Sequence, residues 1–204
     1  MDSIVTESVL NKAKSYQEYK ELIVRLLNEG KTTGEKQSTE LTEYTKLNIH
    51  RMERLEKTIS INDELTSLLT NYKKPLVWVI LSESWCGDVA QNLPVLNKMA
   101  ELSSAIELKT LLRDENPEIM NNYLTNGGTA IPKLICLQKD NGKEMGTWGP
   151  RPEPVQQMVM DFKNSGEKDY KQLIEKAQIW YAKDETATIQ AEFIKLLNHW
   201  STQN

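Results

Sequence analysis

One cysteine stands where a strand is expected to give way to a helix. Cys86 follows the apolar run 75–81, which has the composition of a strand buried on both faces. Val89 begins a series of apolar residues at helical spacing. Because unpaired N–H groups and a partial positive charge collect at a helix N-terminus, a thiolate is favoured there over a thiol. Cys86 is therefore a candidate nucleophile.

Asp88 lies two residues after this cysteine and has several possible roles. If ionised, its charge raises the thiol pKa by about one unit at a separation of about 6 Å. That effect is similar in size to the opposing effect of the helix terminus. The carboxylate also stabilises the first helical turn, and alternatively it relays the thiol proton. The sequence leaves open which influence dominates the pKa of Cys86.

The chain has one further cysteine, and its position argues against a disulfide within the site. Cys136 lies four residues beyond Pro132 on an expected strand, which places it about 13 Å further along. Bridged cysteines have Cα atoms within about 7 Å. An attack by Cys86 on a disulfide therefore stops at a mixed disulfide, which glutathione or a protein thiol must release. We expect monothiol chemistry and a buried, structural Cys136.

Three segments, in matching order and spacing, resemble the thioredoxin superfamily. The stretch 85–88, Trp-Cys-Gly-Asp, is similar to the start of that active site, in the branch that carries this motif. The stretch 127–135 resembles the loop, cis-proline and central strand that face the site, and 139–149 resembles the next hairpin with its trailing glycine. The resemblance implies an α/β thioredoxin-like fold, a central mixed sheet flanked by helices, here with N- and C-terminal helical extensions.

The resemblance also implies a substrate-binding surface around the thiol. A cis bond before Pro132 would aim the Ile131 backbone toward Cys86, where its N–H and C=O could pair with an extended peptide. Arg151 is the best placed cation for a ligand carboxylate, although it is equally well explained as a surface arginine. Catalysis is assigned to Cys86 and Asp88. The expected substrate-binding residues are Trp85, Gly87, Ile131, Pro132, Gly149 and Arg151.

The chain departs from the thioredoxin pattern at three positions. Val89 replaces the second cysteine, Asp88 replaces a proline, and Ile80 stands where the family has a buried carboxylate. A dithiol–disulfide cycle within the site is therefore not available. The sequence predicts monothiol exchange with glutathione or protein thiols; no cofactor is expected, and glutathione is a candidate co-substrate. The alternatives are a redox-inactive binding or scaffold protein and a thiol-based redox sensor.

Amphipathic helices are expected on both sides of the central unit. The sequence predicts an N-terminal helical extension over 1–60, a thioredoxin-like domain over 61–165, and a C-terminal helical extension over 166–204 packed on the same unit. Residues 1–29 are predicted to form one helix. The extensions serve either as a cap on the core or as a partner surface, including a homodimer contact. One face of the second helix is basic and is either solvated or an anion contact; it carries Lys46, His50, Arg54 and Lys57.

Composition excludes several other classes of function. The net charge of −4 argues against nucleic-acid binding, which needs a clustered excess of positive charge. No apolar run approaches the length of a membrane span, and the acidic N-terminus has no apolar core of signal-peptide length. Two histidines and two cysteines are too few for a metal site or a disulfide framework. We expect a protein of the reducing cytoplasm without a metal.

Overall fold

The computed structural model describes residues 4–203. Its strands are β1 (Leu76–Ser82), β2 (Ile106–Leu112), β3 (Lys133–Gln138) and β4 (Glu144–Trp148). The helices are α1 (Glu7–Leu10), α2 (Tyr16–Asn28), α3 (Thr39–Thr58), α4 (Asp63–Asn71), α5 (Gly87–Glu101), α6 (Pro117–Asn122), α7 (Glu153–Ser165), α8 (Tyr170–Asp184) and α9 (Ala187–Thr202). Within this part of the chain, no helix is long and apolar enough to cross a membrane.

The four strands form one mixed sheet in the order β2-β1-β3-β4. Strand β1 runs parallel to β2 and antiparallel to β3, and β4 pairs antiparallel with β3. Every residue of β1 is buried, which explains its continuous apolar composition. The parallel β1–α5–β2 connection places the N-terminus of α5 at one end of the central strand, where Cys86 lies.

The prediction of a single helix over 1–29 is wrong. Helices α1 and α2 are separated at Lys14, whose backbone forms an antiparallel bridge with Thr110 on β2. The Lys14 N–H donates to the Thr110 carbonyl at 2.9 Å, and the Thr110 N–H donates to the Lys14 carbonyl at 2.7 Å. Because this pairing occupies the free edge of β2, it satisfies groups that a continuous helix would leave exposed. Ser15 then caps α2. Residues 1–3 of the predicted helix lie outside the described residues.

The helices on both sides of the central unit pack onto it. Helix α3 lies along α5, and α9 packs beside α4. An aromatic cluster joins α9 to the sheet. The centroid of the Trp78 ring on β1 lies 5.1 Å from that of Phe193 and 6.4 Å from that of Trp200. The apolar stripes of these helices therefore contribute to the main core. The packing also brings α3 and α8 close to the turn that carries Cys86.

Candidate active site

Cys86 occupies the N-cap position of α5, the last residue before the helix begins. Its backbone N–H donates to the carbonyl oxygen of Glu83 at 3.1 Å, which closes the turn between β1 and the helix. Its Sγ donates to the carbonyl oxygen of Ile131 at 3.3 Å. The Ile131–Pro132 peptide bond is cis. The structure thus brings together Cys86, Ile131 and Pro132 from two segments that are far apart in the sequence.

The surroundings of Cys86 favour its protonated form. The residue is partly exposed at the surface, but most of the volume around its sulfur is protein. Burial first, and then the charge of Asp88, raise the pKa of the Cys86 thiol to about 12. The backbone N–H groups of Val89 and Asp88 and the charge of Arg151 act in the opposite direction. The rise in the pKa of Cys86 caused by burial therefore exceeds the lowering by the helix N-terminus. The sequence could not reveal this burial.

Asp88 is held by an ion pair and a hydrogen bond on the C-terminal side of the turn. Arg151 Nε lies 2.7 Å from Asp88 Oδ2, and both side chains are mostly buried. The hydroxyl of Tyr181, on α8, donates to Asp88 Oδ1 at 3.0 Å, and Asn92 donates to the Tyr181 oxygen. Burial raises the pKa of Asp88, whereas Arg151 and Tyr181 lower it. Both carboxylate oxygens have partners other than the thiol, so the geometry does not favour a proton relay to Cys86.

Arg151, expected as a cation for a ligand carboxylate, is paired with Asp88 in the folded chain. Besides the ion pair, Arg151 Nη1 donates to Gln156 at 3.2 Å. The opposite charges of Asp88 and Arg151 are the signal in the sequence for this pairing. Tyr181 was missed altogether, because nothing in its local sequence distinguishes it from the other aromatic residues of the C-terminal helices.

A buried hydroxyl cluster fixes the N-terminal side of the turn. Ser84 Oγ shares hydrogen bonds with the hydroxyls of Thr32 and Thr33 at 2.9 and 3.1 Å. The Ser84 N–H donates to Thr33 Oγ1 at 2.8 Å, and its carbonyl accepts from Asn48 Nδ2 at 2.8 Å. Thr45 on α3 completes the cluster through Thr32. Helix α3 and the loop that precedes it are therefore bonded directly to Ser84, two positions before Cys86.

Glu83 is a fully buried carboxylate three residues before the cysteine. Its Oε1 accepts from the N–H of Asp114 at 2.9 Å, while its Oε2 has no hydrogen-bond partner among the described residues. Burial raises the pKa of Glu83, although the hydrogen bond from the Asp114 N–H acts against this. The turn that leads to Cys86 thus contains a buried acid, at a different position from Ile80. Glu83 was not predicted from the sequence, where the available signal was a carboxylate directly after a buried run.

A groove of about 490 Å³ opens beside Trp85. Arg113 lies over the Trp85 ring at 4.9 Å from its centroid. Arg113 Nη2 lies 2.7 Å from Asp114 Oδ1, and Arg113 Nη1 donates to the Thr129 carbonyl at 3.2 Å, which holds the guanidinium in place. The groove is lined by Trp85, the residue before Cys86, and by Thr129, two residues before Ile131. Its walls also include Glu35, Lys36, Leu41, Pro117, Met120 and Asn121.

The two glycines predicted for the substrate surface are both in close contacts. A Cβ on Gly87 would lie 3.0 Å from the Tyr44 hydroxyl oxygen and 3.4 Å from Gln178 Nε2. Side chains of α3 and α8 therefore cover this side of the turn. Gly149 has φ of +103°, and a side chain there would collide with the carbonyl of Pro132. Gly149 thus packs directly behind the segment that faces Cys86.

The remaining candidates lie outside this site. Cys136 is buried on β3, and burial raises its pKa, as expected of a structural thiol. On the basic face of α3, Lys46 pairs with Glu43 at 2.6 Å, which fits the solvated alternative. His50 is highly exposed. Among residues 4–203, no group of three or more His, Cys, Asp or Glu side chains is placed to hold a metal ion.

Fold and site together define a class: an α/β protein with one thiol at a strand-to-helix turn, opposite a proline that follows a cis bond. A family model described as thioredoxin matches residues 34–171, more than half of the chain. The chain belongs to the thioredoxin family. This match, with the mixed sheet flanked by helices, confirms the predicted thioredoxin-like fold.

Solved structures extend the likeness beyond the central unit. A protein of unknown function from Pseudomonas aeruginosa is 18% identical, with a TM-score of 0.57, over 91% of this chain and 98% of that one. An HIV epitope scaffold is 17% identical, with a TM-score of 0.54, over the same shares of the two chains. No curated protein matches the chain. At these identities the likeness concerns the fold alone, and its coverage extends to the flanking helices.

Proposed function

We propose that this protein carries out monothiol thiol–disulfide exchange at Cys86, as a variant of the Trp-Cys-Gly-Asp branch without a second cysteine. The observation that carries the proposal is the contact between Cys86 Sγ and the Ile131 carbonyl, 3.3 Å apart at the N-terminus of α5. The N–H groups of Asp88 and Val89 favour the thiolate that attack requires. Trp85 and the groove beside it offer a surface for the substrate.

The exchange consists of two balanced steps. The Cys86 thiol first loses its proton to solvent, and the sulfur attacks a disulfide RS–SR. A bond between Cys86 and one R–S group forms as the original disulfide breaks, and the departing thiolate takes up a proton to give RSH. A second thiol, R′SH, then loses its proton and attacks the mixed disulfide. RS–SR′ leaves and the Cys86 thiolate is restored, so the external thiol replaces a resolving cysteine.

The proposal is tested by reduction of a glutathione mixed disulfide in a Cys136→Ala background. We expect activity that disappears in Cys86→Ser. Because the resting sulfur is a thiol, the rate should rise about tenfold per pH unit across neutral and mildly alkaline pH. The same slope is expected for alkylation of Cys86 by iodoacetamide. Equal activity in the Cys86→Ser variant would contradict the proposal.

One observation favours a second function, a redox-inactive binding protein that retained the fold. Burial and the charge of Asp88 both disfavour the Cys86 thiolate, and both oxygens of Asp88 have other partners. On this alternative, alkylation of Cys86 is slow and no mixed disulfide is turned over at any pH. A redox sensor would instead form a stable mixed disulfide without turnover. The same assay therefore separates all three functions.

A further inference from the structure

We infer that the Cys86 site accepts a low-molecular-weight peptide disulfide and excludes disulfides held in the surface of folded proteins. The inference rests on the proposed exchange reaction and specifies its substrate. Its basis is an asymmetry around the sulfur. Helices from both extensions cover one side of the turn at Gly87, whereas a groove of small-molecule size lies beside Trp85, the residue before the thiol.

The covered side is closed by two side chains that are themselves fixed. Tyr44 and Gln178 lie directly over Gly87, the residue after the thiol. Arg51 stacks on the Tyr44 ring at 5.3 Å from its centroid, and Gln178 Oε1 accepts from Gln91 at 2.6 Å. Because each covering side chain is held by a neighbour, we expect neither to swing away readily. A disulfide in a folded surface would have to displace them to lie across the turn.

The open side has the size and charge pattern of a small-ligand site. A volume of about 490 Å³ falls within the range of small-molecule pockets, whereas a protein partner requires a much larger surface. Arg113 and Asp114 pair with each other at 2.7 Å, so the charges that the groove offers to a ligand are those of Lys36 and Glu35. This balance suits a ligand that carries both ammonium and carboxylate groups. A small peptide disulfide such as glutathione disulfide meets both conditions.

The sharpest test compares two probes with the same leaving group. One is the mixed disulfide of glutathione with 2-thiopyridine, and the other is the same 2-pyridyl disulfide formed on the single surface cysteine of a small folded protein. Release of thiopyridone is followed in the Cys136→Ala background. A short unstructured peptide containing Trp-Cys-Gly-Asp provides the intrinsic rate ratio. We expect this protein to prefer the glutathione probe by at least about 100-fold more than the peptide does.

Variants then test whether the covering side chains cause the preference. Tyr44→Ala combined with Gln178→Ala should reduce the preference about tenfold by admitting the protein probe. The matched control is Leu47→Ala with Lys171→Ala, on exposed positions of the same two helices. An undiminished preference in the first variant would overturn the assignment of these residues.

The outcomes also separate this inference from the proposed function. A rate ratio equal to that of the unstructured peptide would overturn the size selection and leave thiol exchange standing. Thiopyridone release no faster than that of Cys86→Ser, with either probe, would overturn both. Because the wild-type ratio is measured first, the inference can be refuted even when the double variant does not fold.

Discussion

The two ends of the turn around Cys86 are fixed by different kinds of interaction. Before the cysteine, Ser84 is held by buried hydroxyl and amide groups of the N-terminal extension. After it, Asp88 is held by the charge of Arg151 and the hydroxyl of Tyr181. Neutral hydrogen bonds mainly position the chain, whereas a buried charge also changes the ionisation of its neighbours. The first side should therefore set the stability of the turn, and the second should set the reactivity of the thiol.

The largest effect on stability is expected from Ser84→Ala. The change removes hydrogen bonds to Thr32 and Thr33 and leaves their buried groups without this partner. The expected loss is about 1–3 kcal/mol in the free energy of unfolding, measured by urea denaturation. The pH dependence of Cys86 alkylation should not move, because no charge is altered. A shifted alkylation profile with unchanged stability would reverse the roles assigned to the two sides.

Asp88→Asn should have the largest effect on reactivity. It removes the charge that, after burial, does most to raise the pKa of Cys86, and it leaves the charge of Arg151 uncompensated. The thiol pKa should fall by about one unit, so alkylation at fixed pH should accelerate about tenfold. The measurement is the rate of iodoacetamide labelling against pH in the Cys136→Ala background.

Arg151→Gln should act in the opposite direction and more weakly. The substitution removes a charge that lowers the pKa of Cys86, so labelling should slow by about two- to fivefold. Lys168→Gln, on an exposed residue between α7 and α8, is the control for the loss of one positive charge. Faster labelling of Arg151→Gln would show that the ion pair acts by covering the sulfur rather than by its charges.

The smallest effect is expected from Glu83→Gln, which tests whether the N-terminal side of the turn is uncharged in the folded protein. The introduced amide would keep an acceptor for the Asp114 N–H. The pKa of Glu83 in the folded protein is raised above its ordinary value of 4.5. The wild-type protein therefore loses stability as the pH rises above 4.5, whereas the variant does not. The variant should therefore gain stability between about pH 5 and pH 8 relative to wild type, seen as a rise of about 2–4 °C in Tm at the higher pH.

If Glu83→Gln were less stable than wild type by the same amount at pH 5 and at pH 8, this prediction would be contradicted. That result would mean that the Glu83 carboxylate is ionised in the folded protein and is stabilised by its bond from the Asp114 N–H. The N-terminal side of the turn would then have a buried charge of its own, and the contrast with the Asp88 side would be weaker.

Local sequence determined the elements that carry the chemistry. The apolar run before Cys86 required a buried strand, the apolar spacing from Val89 required a helix, and the cysteine between them had to cap that helix. Strand β2 and the hairpin of β3 and β4 were likewise predictable, because alternation and turn residues act over a few positions. The absence of a second cysteine at position 89 could be read directly from the sequence.

Only the tertiary structure decided what surrounds the thiol. Lys14 bonds to the sheet edge and divides the first helix, Tyr181 reaches Asp88 from 93 positions away, and Glu83 is buried without a partner for one oxygen among the described residues. Each depends on packing between distant segments, and hydrophobic periodicity does not encode which polar groups meet. The sequence therefore determined where the sulfur lies in the fold. Its protonation was decided by burial and by charges that only the folded chain brings together.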